Sequence, residues 1–264
     1  MDVIKRNNVK VLGEGTQPIV FAHGFGCDWT AWRSVAPNFE RDHKVILFDH
    51  VGAGGSDLTA YRSDKYSSYA GYVADVLEII DELDMNDIVF VGHSAAAMIG
   101  MLASIQKPER FDSLVMVSPS PSFLDEGDYK GGFSRDDIDG LLEVLDSNFL
   151  GWSRSTAPLI MGNPERPELG DVLTGSFCRT DPDIAREFAR VVFLADHRAD
   201  VPNCTKRALV LQTQADLIAP VEVGHYMHDH LPNSELVLMK ATGHCPHISA
   251  PEETSAAIRS FLAG

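Results

Sequence analysis

Ser94 lies in the stretch Asp87-Ile88-Val89-Phe90-Val91-Gly92-His93-Ser94-Ala95-Ala96-Ala97-Met98-Ile99-Gly100, where an apolar run of strand character meets a run of helical character. A strand-to-helix turn that tight needs small neighbours and lifts the serine oxygen clear of the backbone, the shape of a nucleophile elbow. Gly92 supplies the small residue before it; Ala96 stands where the usual G-x-S-x-G pattern ends in glycine, so the match is G-x-S-x-A. Serine at such a junction is also a common N-cap, so other groups must decide its role. A hydroxyl becomes a nucleophile when a base takes its proton and an acid orients that base. Downstream, the run Ala208 to Asp216 ends in an aspartate just past a strand-like segment, and the run Leu236 to His244 ends in a histidine behind a glycine. The chain order Ser94, Asp216, His244 separates one serine hydrolase architecture from two others.

Acyl transfer also needs N–H donors aimed at the developing oxyanion. His23-Gly24-Phe25-Gly26 follows the strand-like run Ile19 to Phe21, and the expected donors are the backbone amides of Phe25 and Ala95. Glycine-rich loops after strands also bind phosphate, but no Lys-Ser/Thr follows and the spacing is not G-x-G-x-x-G.

These residues must be held by alternating elements. Ile19 to Phe21, Val45 to Phe48, Ile88 to Val91, Leu114 to Val117, Leu209 to Leu211 and Leu236 to Met239 read as buried strands. Tyr69 to Leu83, Ala95 to Ile105, Val221 to His230 and Pro251 to Leu262 carry apolar residues at helical spacing. The alternation predicts a mostly parallel sheet with helices on both faces, and Val9 to Leu12 adds a possible antiparallel edge strand. From residue 121 to 203 the patterns are helical: Ser134-Arg135-Asp136-Asp137 forms a capping box with Asp in place of Glu, and Pro164, Pro167 and Pro182 divide the rest. The expectation is a core of residues 1–120 and 204–264 with a helical cap of residues 121–203 over the carboxyl ends of the strands, where open α/β sheets bind ligands.

Composition narrows the partners. A net charge of −16 disfavours phosphate backbones and anionic lipid, so neither nucleic acid nor a membrane is an expected partner. No apolar run is long enough to span a bilayer, and Met1 to Arg6 is not followed by a secretory signal, which together predict a soluble, cytoplasmic protein. The four cysteines Cys27, Cys178, Cys204 and Cys245 are widely spaced and read as free thiols. His225, His228 and His230 crowd one helix, but no carboxylate or thiol completes a ligand set, and no metal or other cofactor is expected.

Taken together, His23-Gly24-Phe25-Gly26, Asp49-His50-Val51-Gly52-Ala53-Gly54-Gly55-Ser56-Asp57, Gly92-His93-Ser94, Asp216 and Gly243-His244-Cys245-Pro246-His247 resemble the α/β-hydrolase superfamily. The whole chain is similar to the branch holding the bacterial stress-response regulator RsbQ and the plant karrikin and strigolactone receptors, with Cys178-Arg179-Thr180-Asp181-Pro182 and Ala195-Asp196-His197-Arg198 among the supporting segments. Ala96 departs from the family's usual glycine. The resemblance implies an α/β-hydrolase fold with an inserted four-helix cap, a Ser94-His244-Asp216 triad, and an apolar pocket lined by Phe25, Phe133, Leu141, Trp152, Leu159, Phe193 and Ile218. It also implies slow hydrolysis of a small lipophilic ester or lactone tied to signalling, with a PP2C-type phosphatase as the partner in the bacterial branch. Two alternatives stay open: a metabolic esterase or lactonase without a protein partner, and a ligand receptor with incidental turnover. A haloalkane dehalogenase would carry an aspartate in place of Ser94.

Overall fold

The computed structural model describes residues 2–264; Met1, the first residue of the N-terminal segment considered above, lies outside them. Seven strands, β1 (Lys10–Leu12), β2 (Pro18–Ala22), β3 (Lys44–Leu47), β4 (Ile88–His93), β5 (Phe111–Val117), β6 (Arg207–Thr213) and β7 (Ser234–Met239), form one sheet in the order β1-β3-β2-β4-β5-β6-β7. Only β1 runs antiparallel, with Val11 opposite Ile46; the other pairs are parallel. Every residue of β2 and β4 is buried, which is why their sequences read as unbroken apolar runs rather than alternating ones.

Alternate residues of these strands feed two separate cores. Ile19, Phe21, Val89 and Val91 pack with Trp32, Phe39 and Ile258, while Val20, Ala22, Ile88 and Phe90 face the opposite side. The first core is closed by α9 (Pro251–Ala263), the second by α2 (Tyr69–Glu82) and α3 (Ala95–Gln106). Helix α1 (Val3–Arg6), not expected from the sequence, tucks Arg6 against the fully buried Asp75 of α2 at 3.1 Å. The remaining core helices are α7 (Val221–His230) and α8 (Pro246–Ser249).

Between β5 and β6 the chain leaves the sheet. Residues 121–134 form no helix and fold back through isolated bridges such as Leu124 to Phe133. Helices α4 (Arg135–Met161), α5 (Pro167–Arg179) and α6 (Pro182–Phe193) follow. The expected capping box opens α4: Ser134 Oγ accepts from Asp137 N–H at 3.2 Å, and the Asp137 carboxylate accepts from Ser134 N–H at 2.9 Å. Asn148 (φ −155°, ψ 69°) breaks α4 into two helical pieces, so the insertion holds four helical segments in three continuous stretches. Pro167 and Pro182 each stand at a helix start, where proline's missing N–H costs nothing.

Candidate active site

The turn after β4 shows why its neighbours are small. Ser94 has φ 53° and ψ −120°, a left-handed conformation rare for a residue with a side chain, and its N–H donates to Val117 O at 2.8 Å. A Cβ on Gly92 would lie 2.5 Å from Ala96 O, so only glycine allows the helix to fold back so soon. The strained turn forms with alanine at position 96, itself fully buried. Isolated strain of this kind persists where surrounding structure enforces it, and it concentrates at functional sites.

Three chain-distant side chains meet at this turn. His244 Nε2 lies 2.9 Å from Ser94 Oγ, and His244 Nδ1 lies 2.8 Å from Asp216 Oδ2. Asp216 Oδ1 accepts from the N–H groups of Ile218 and Ala219 at 2.8 and 3.1 Å, which holds the carboxylate in place. Since Asp216 can only accept, the network assigns the proton of neutral His244 to Nδ1 and leaves Nε2 free to accept from the serine hydroxyl. Ser94 and His244 are almost fully buried, and the Asp216 side chain is completely so. A base thus faces the hydroxyl and an acid faces the base, in surroundings where charge interactions are weakly screened.

The loop after β2 is drawn against the elbow. A Cβ on Gly24 would lie 2.7 Å from His93 Nδ1, so the glycine permits a close approach that brings the Phe25 backbone to the nucleophile's side of the turn. His23 and His50 brace this loop. His50 N–H donates to His23 Nε2 at 3.1 Å, which makes Nε2 the unprotonated nitrogen, and His50 Nε2 lies 3.1 Å from His23 O. Burial holds His50 well below its ordinary pKa, hence neutral. Ala95 is the first residue of α3, and its N–H is one of those that a helix leaves without an internal acceptor.

Above Ser94 lies a narrow apolar cavity of about 30 Å³, walled by Phe25, Phe123, Trp152, Phe177, Phe193 and Ile218, among others. Of the residues expected at the pocket, Phe25, Trp152, Phe193 and Ile218 line it. Three do not. Leu159 is 63% exposed: the buried side of α4 carries Ser153, Ala157 and Ile160, and the residue reaching the cavity is Ile160, one helical step of about 100° away. Phe133 sits a layer behind, its ring 6.0 Å from Phe193 and 6.4 Å from Phe123. Leu141 is half-buried in the first piece of α4, before the break at Asn148, and packs on the core without reaching the cavity.

Phe123, Ile160, Leu173, Phe177 and Val192 were not singled out from the sequence yet line the cavity. Leu173 and Phe177 are four residues apart on α5, a spacing that marks a shared face but not what the face covers. Phe177 is 5.5 Å from Phe25 and 5.4 Å from Trp152, ring centre to ring centre. The cavity's thiols are quiet, since burial pushes Cys27 up to about 12 and Cys245 well above its usual range. Among the described residues no group of three or more His, Cys, Asp or Glu side chains converges as a metal would require, and no helix is long and apolar enough to cross a membrane.

Comparison with known proteins places the fold in a family. The model of the Alpha/beta hydrolase family matches residues 19–257. The chain is 38% identical over 255 residues to Karrikin insensitive 2 receptor CA of Petunia hybrida, covering 95% of this chain and 93% of that protein. It is 39% identical over 252 residues to Strigolactone esterase RMS3 of Pisum sativum, covering 92% of each. A solved hydrolase from Oleispira antarctica superposes with a TM-score of 0.97 at 40% identity, over 100% of this chain and 97% of that one. The match spans both the sheet that carries the elbow and the helices that roof it, and the chain belongs to the alpha/beta hydrolase family.

Proposed function

We propose that the protein is a serine hydrolase of small apolar esters or lactones, with Ser94 as nucleophile, His244 as general base and acid, and Asp216 orienting His244. The single observation that carries this reading is the pair of contacts at 2.9 and 2.8 Å linking Ser94, His244 and Asp216 at the floor of an apolar cavity. In the forward step Ser94 Oγ bonds to the acyl carbon while its proton passes to His244 Nε2. The Phe25 and Ala95 amides hold the resulting oxyanion, and the imidazolium then protonates the departing alkoxide. Water, deprotonated by the same imidazole, releases the acid from the acyl-serine. Residues 121–203 act in this reading as one cap that excludes bulk water and sets the acyl length.

The test is direct. An organophosphonate should label Ser94 alone, read by peptide mass spectrometry, and Ser94→Ala should cut turnover of p-nitrophenyl acetate by at least about 10³-fold with an unchanged circular dichroism spectrum. Labelling elsewhere, or full activity in Ser94→Ala, would remove the assignment.

A second reading is favoured by the 38% identity to a protein named as a karrikin receptor: the cavity senses a small lactone, and turnover serves a signal in the manner of RsbQ. A partner that binds one cap state better than another would shift the balance by its difference in affinity. Under this reading wild-type protein, but not Ser94→Ala, activates a PP2C-type phosphatase from the same cell. Equal stimulation by both would make catalysis irrelevant to the signal, and no binding alongside efficient hydrolysis would leave the metabolic esterase.

A further inference from the structure

Ser94 and Asp216 stand on turns that follow core strands, whereas the backbone of His244 is held from three sides, one of which is the inserted helices. On the core side Gly243 N–H donates to Ala215 O at 2.7 Å, and Thr213 Oγ1 donates to Gly243 O at 2.8 Å. On the elbow side His93 Nε2 donates to His244 O at 2.9 Å. On the third side His244 N–H donates to Ile160 O, in the last turn of α4, at 2.9 Å. Carbonyls at a helix end have no intrahelical donor, so the histidine loop satisfies a group that α4 leaves open.

The two segments cross at backbone contact. A Cβ on Gly162 would lie 2.9 Å from Gly243 Cα, and one on Gly243 would lie 1.9 Å from Met161 O; both glycines have positive φ, 64° and 81°. Asn163 closes the crossing. It is buried, its Nδ2 donates to Met161 O at 2.6 Å and to Thr242 O at 3.2 Å, and Arg166 donates to its Oδ1 at 2.8 Å, which settles the direction of the amide. Thr242 Oγ1 returns a hydrogen bond to Gly162 O at 3.1 Å.

We infer that Asn163 is a positioning residue for the catalytic histidine: by clasping α4 to the Thr242–His244 loop it sets the imidazole over Ser94 and ties the placement of the inserted helices to proton transfer. The inference rests on the hydrolase reading above. A shift of the His244 backbone by about 1 Å would take Nε2 out of hydrogen-bond reach of Ser94 Oγ while leaving the cavity's aromatic walls in place, so the effect falls on the chemical step rather than on binding.

The experiment compares wild type, Asn163→Ala, Thr242→Val, Thr242→Ser and Ser94→Ala, using p-nitrophenyl acetate and the downfield proton NMR resonance of His244 Nδ1–H. Asn163→Ala should lower kcat by about 10- to 100-fold with KM within about twofold, and should shift or broaden that resonance. Thr242→Val should lower kcat several-fold, and Thr242→Ser, which keeps the hydroxyl, should restore it. A folded Asn163→Ala protein with unchanged kcat and resonance overturns the clasp while wild-type turnover and a dead Ser94→Ala leave the hydrolase reading intact; an active Ser94→Ala overturns both. If Asn163→Ala does not fold, the Thr242 pair decides: equal kcat in the valine and serine variants overturns the proposal.

Discussion

Two hollows share a wall formed by Cys27 and Leu173, and they could hardly differ more. The inner one, over Ser94, has an open volume of about 30 Å³, room for one or two waters, and is walled by aromatic and aliphatic side chains. The outer one, between α5 and the segment from Cys27 to Ser34, is about 380 Å³ and carries Arg33, Asp171, Ser176 and Arg179. Size alone would choose the outer cleft. The side chains distinguish the inner one, where a hydroxyl meets an imidazole that meets a carboxylate, all three nearly buried. The small inner volume also means that even a short ester must displace aromatic side chains on entering. Phe177 is one of those walls, and it packs so closely on the Phe25–Gly26 loop that a Cβ on Gly26 would lie 1.9 Å from one of its ring carbons.

The sharpest way to break this contrast is Asp216→Asn. The amide can still accept from Ile218 and Ala219, so the fold should survive, but it cannot stabilise the imidazolium, and kcat should fall by about 10⁴-fold in a p-nitrophenyl acetate assay. Near-normal turnover would move the acid, and with it the active cavity, elsewhere.

Next in size are the walls. Trp152 and Phe193 are 7% and 4% exposed, so replacing either by alanine should cost about 3–5 kcal/mol of stability by chemical denaturation. The same variants should also shift preference along a series of p-nitrophenyl esters from acetate towards longer acyl chains. Lost stability with unchanged chain-length preference would make these rings packing only.

The inner hollow also rests on a buried run of imidazoles that the outer one lacks. His247 is fully buried between Trp32 and His93, neither ring nitrogen has a partner, and burial lowers its pKa from 6.5 to about 3. Across that window the unfolded chain binds a proton that the folded chain refuses, so stability falls as pH drops, by about 2 kcal/mol from His247 alone near pH 5. His50 and His93 act in the same direction. Urea midpoints at pH 7 and pH 5 should therefore diverge more for wild type than for His247→Phe; equal divergence would remove His247 from the acid response. The smallest effect belongs to the outer cleft. Arg179 is 60% exposed where it pairs with the nearly buried Asp28 at 2.9 Å, and Thr30 N–H also donates to that carboxylate, so Arg179→Ala should change ester turnover by less than about twofold. A large loss of turnover there would show that the outer cleft serves the reaction.

Strand and helix alternation, the edge strand and the insertion after β5 were legible because each rests on local period and punctuation: Ile88 to Val91 in β4 and Ala208 to Leu211 in β6 are unbroken apolar runs, and Ser134 and Asp137 form the capping box that opens α4. Ser94, Asp216 and His244 were legible for a related reason. Each ends a strand run, and parallel strands deliver their carboxyl ends to one side of a sheet. The pocket was less so. Phe25, Trp152, Phe193 and Ile218 reach the cavity, but Leu159 faces outward and Phe133 and Leu141 stand back from it. A helical pattern names a buried face without naming its partner, and a break such as the one at Asn148 resets the phase between Leu141 and Trp152.

The sequence by itself thus determined the fold class and pointed to the three side chains that meet at the elbow, because residue type, period and chain order suffice for elements and for what each strand end carries. Only the tertiary structure decided which aromatic rings wall the cavity, that Phe177 and Ile160 are among the residues that line it, and that the loop bearing His244 is held by the end of α4. The contacts that clasp α4 to the His244 loop join residues 79 and 80 positions apart, and no local pattern encodes the packing of one surface against another that far away along the chain.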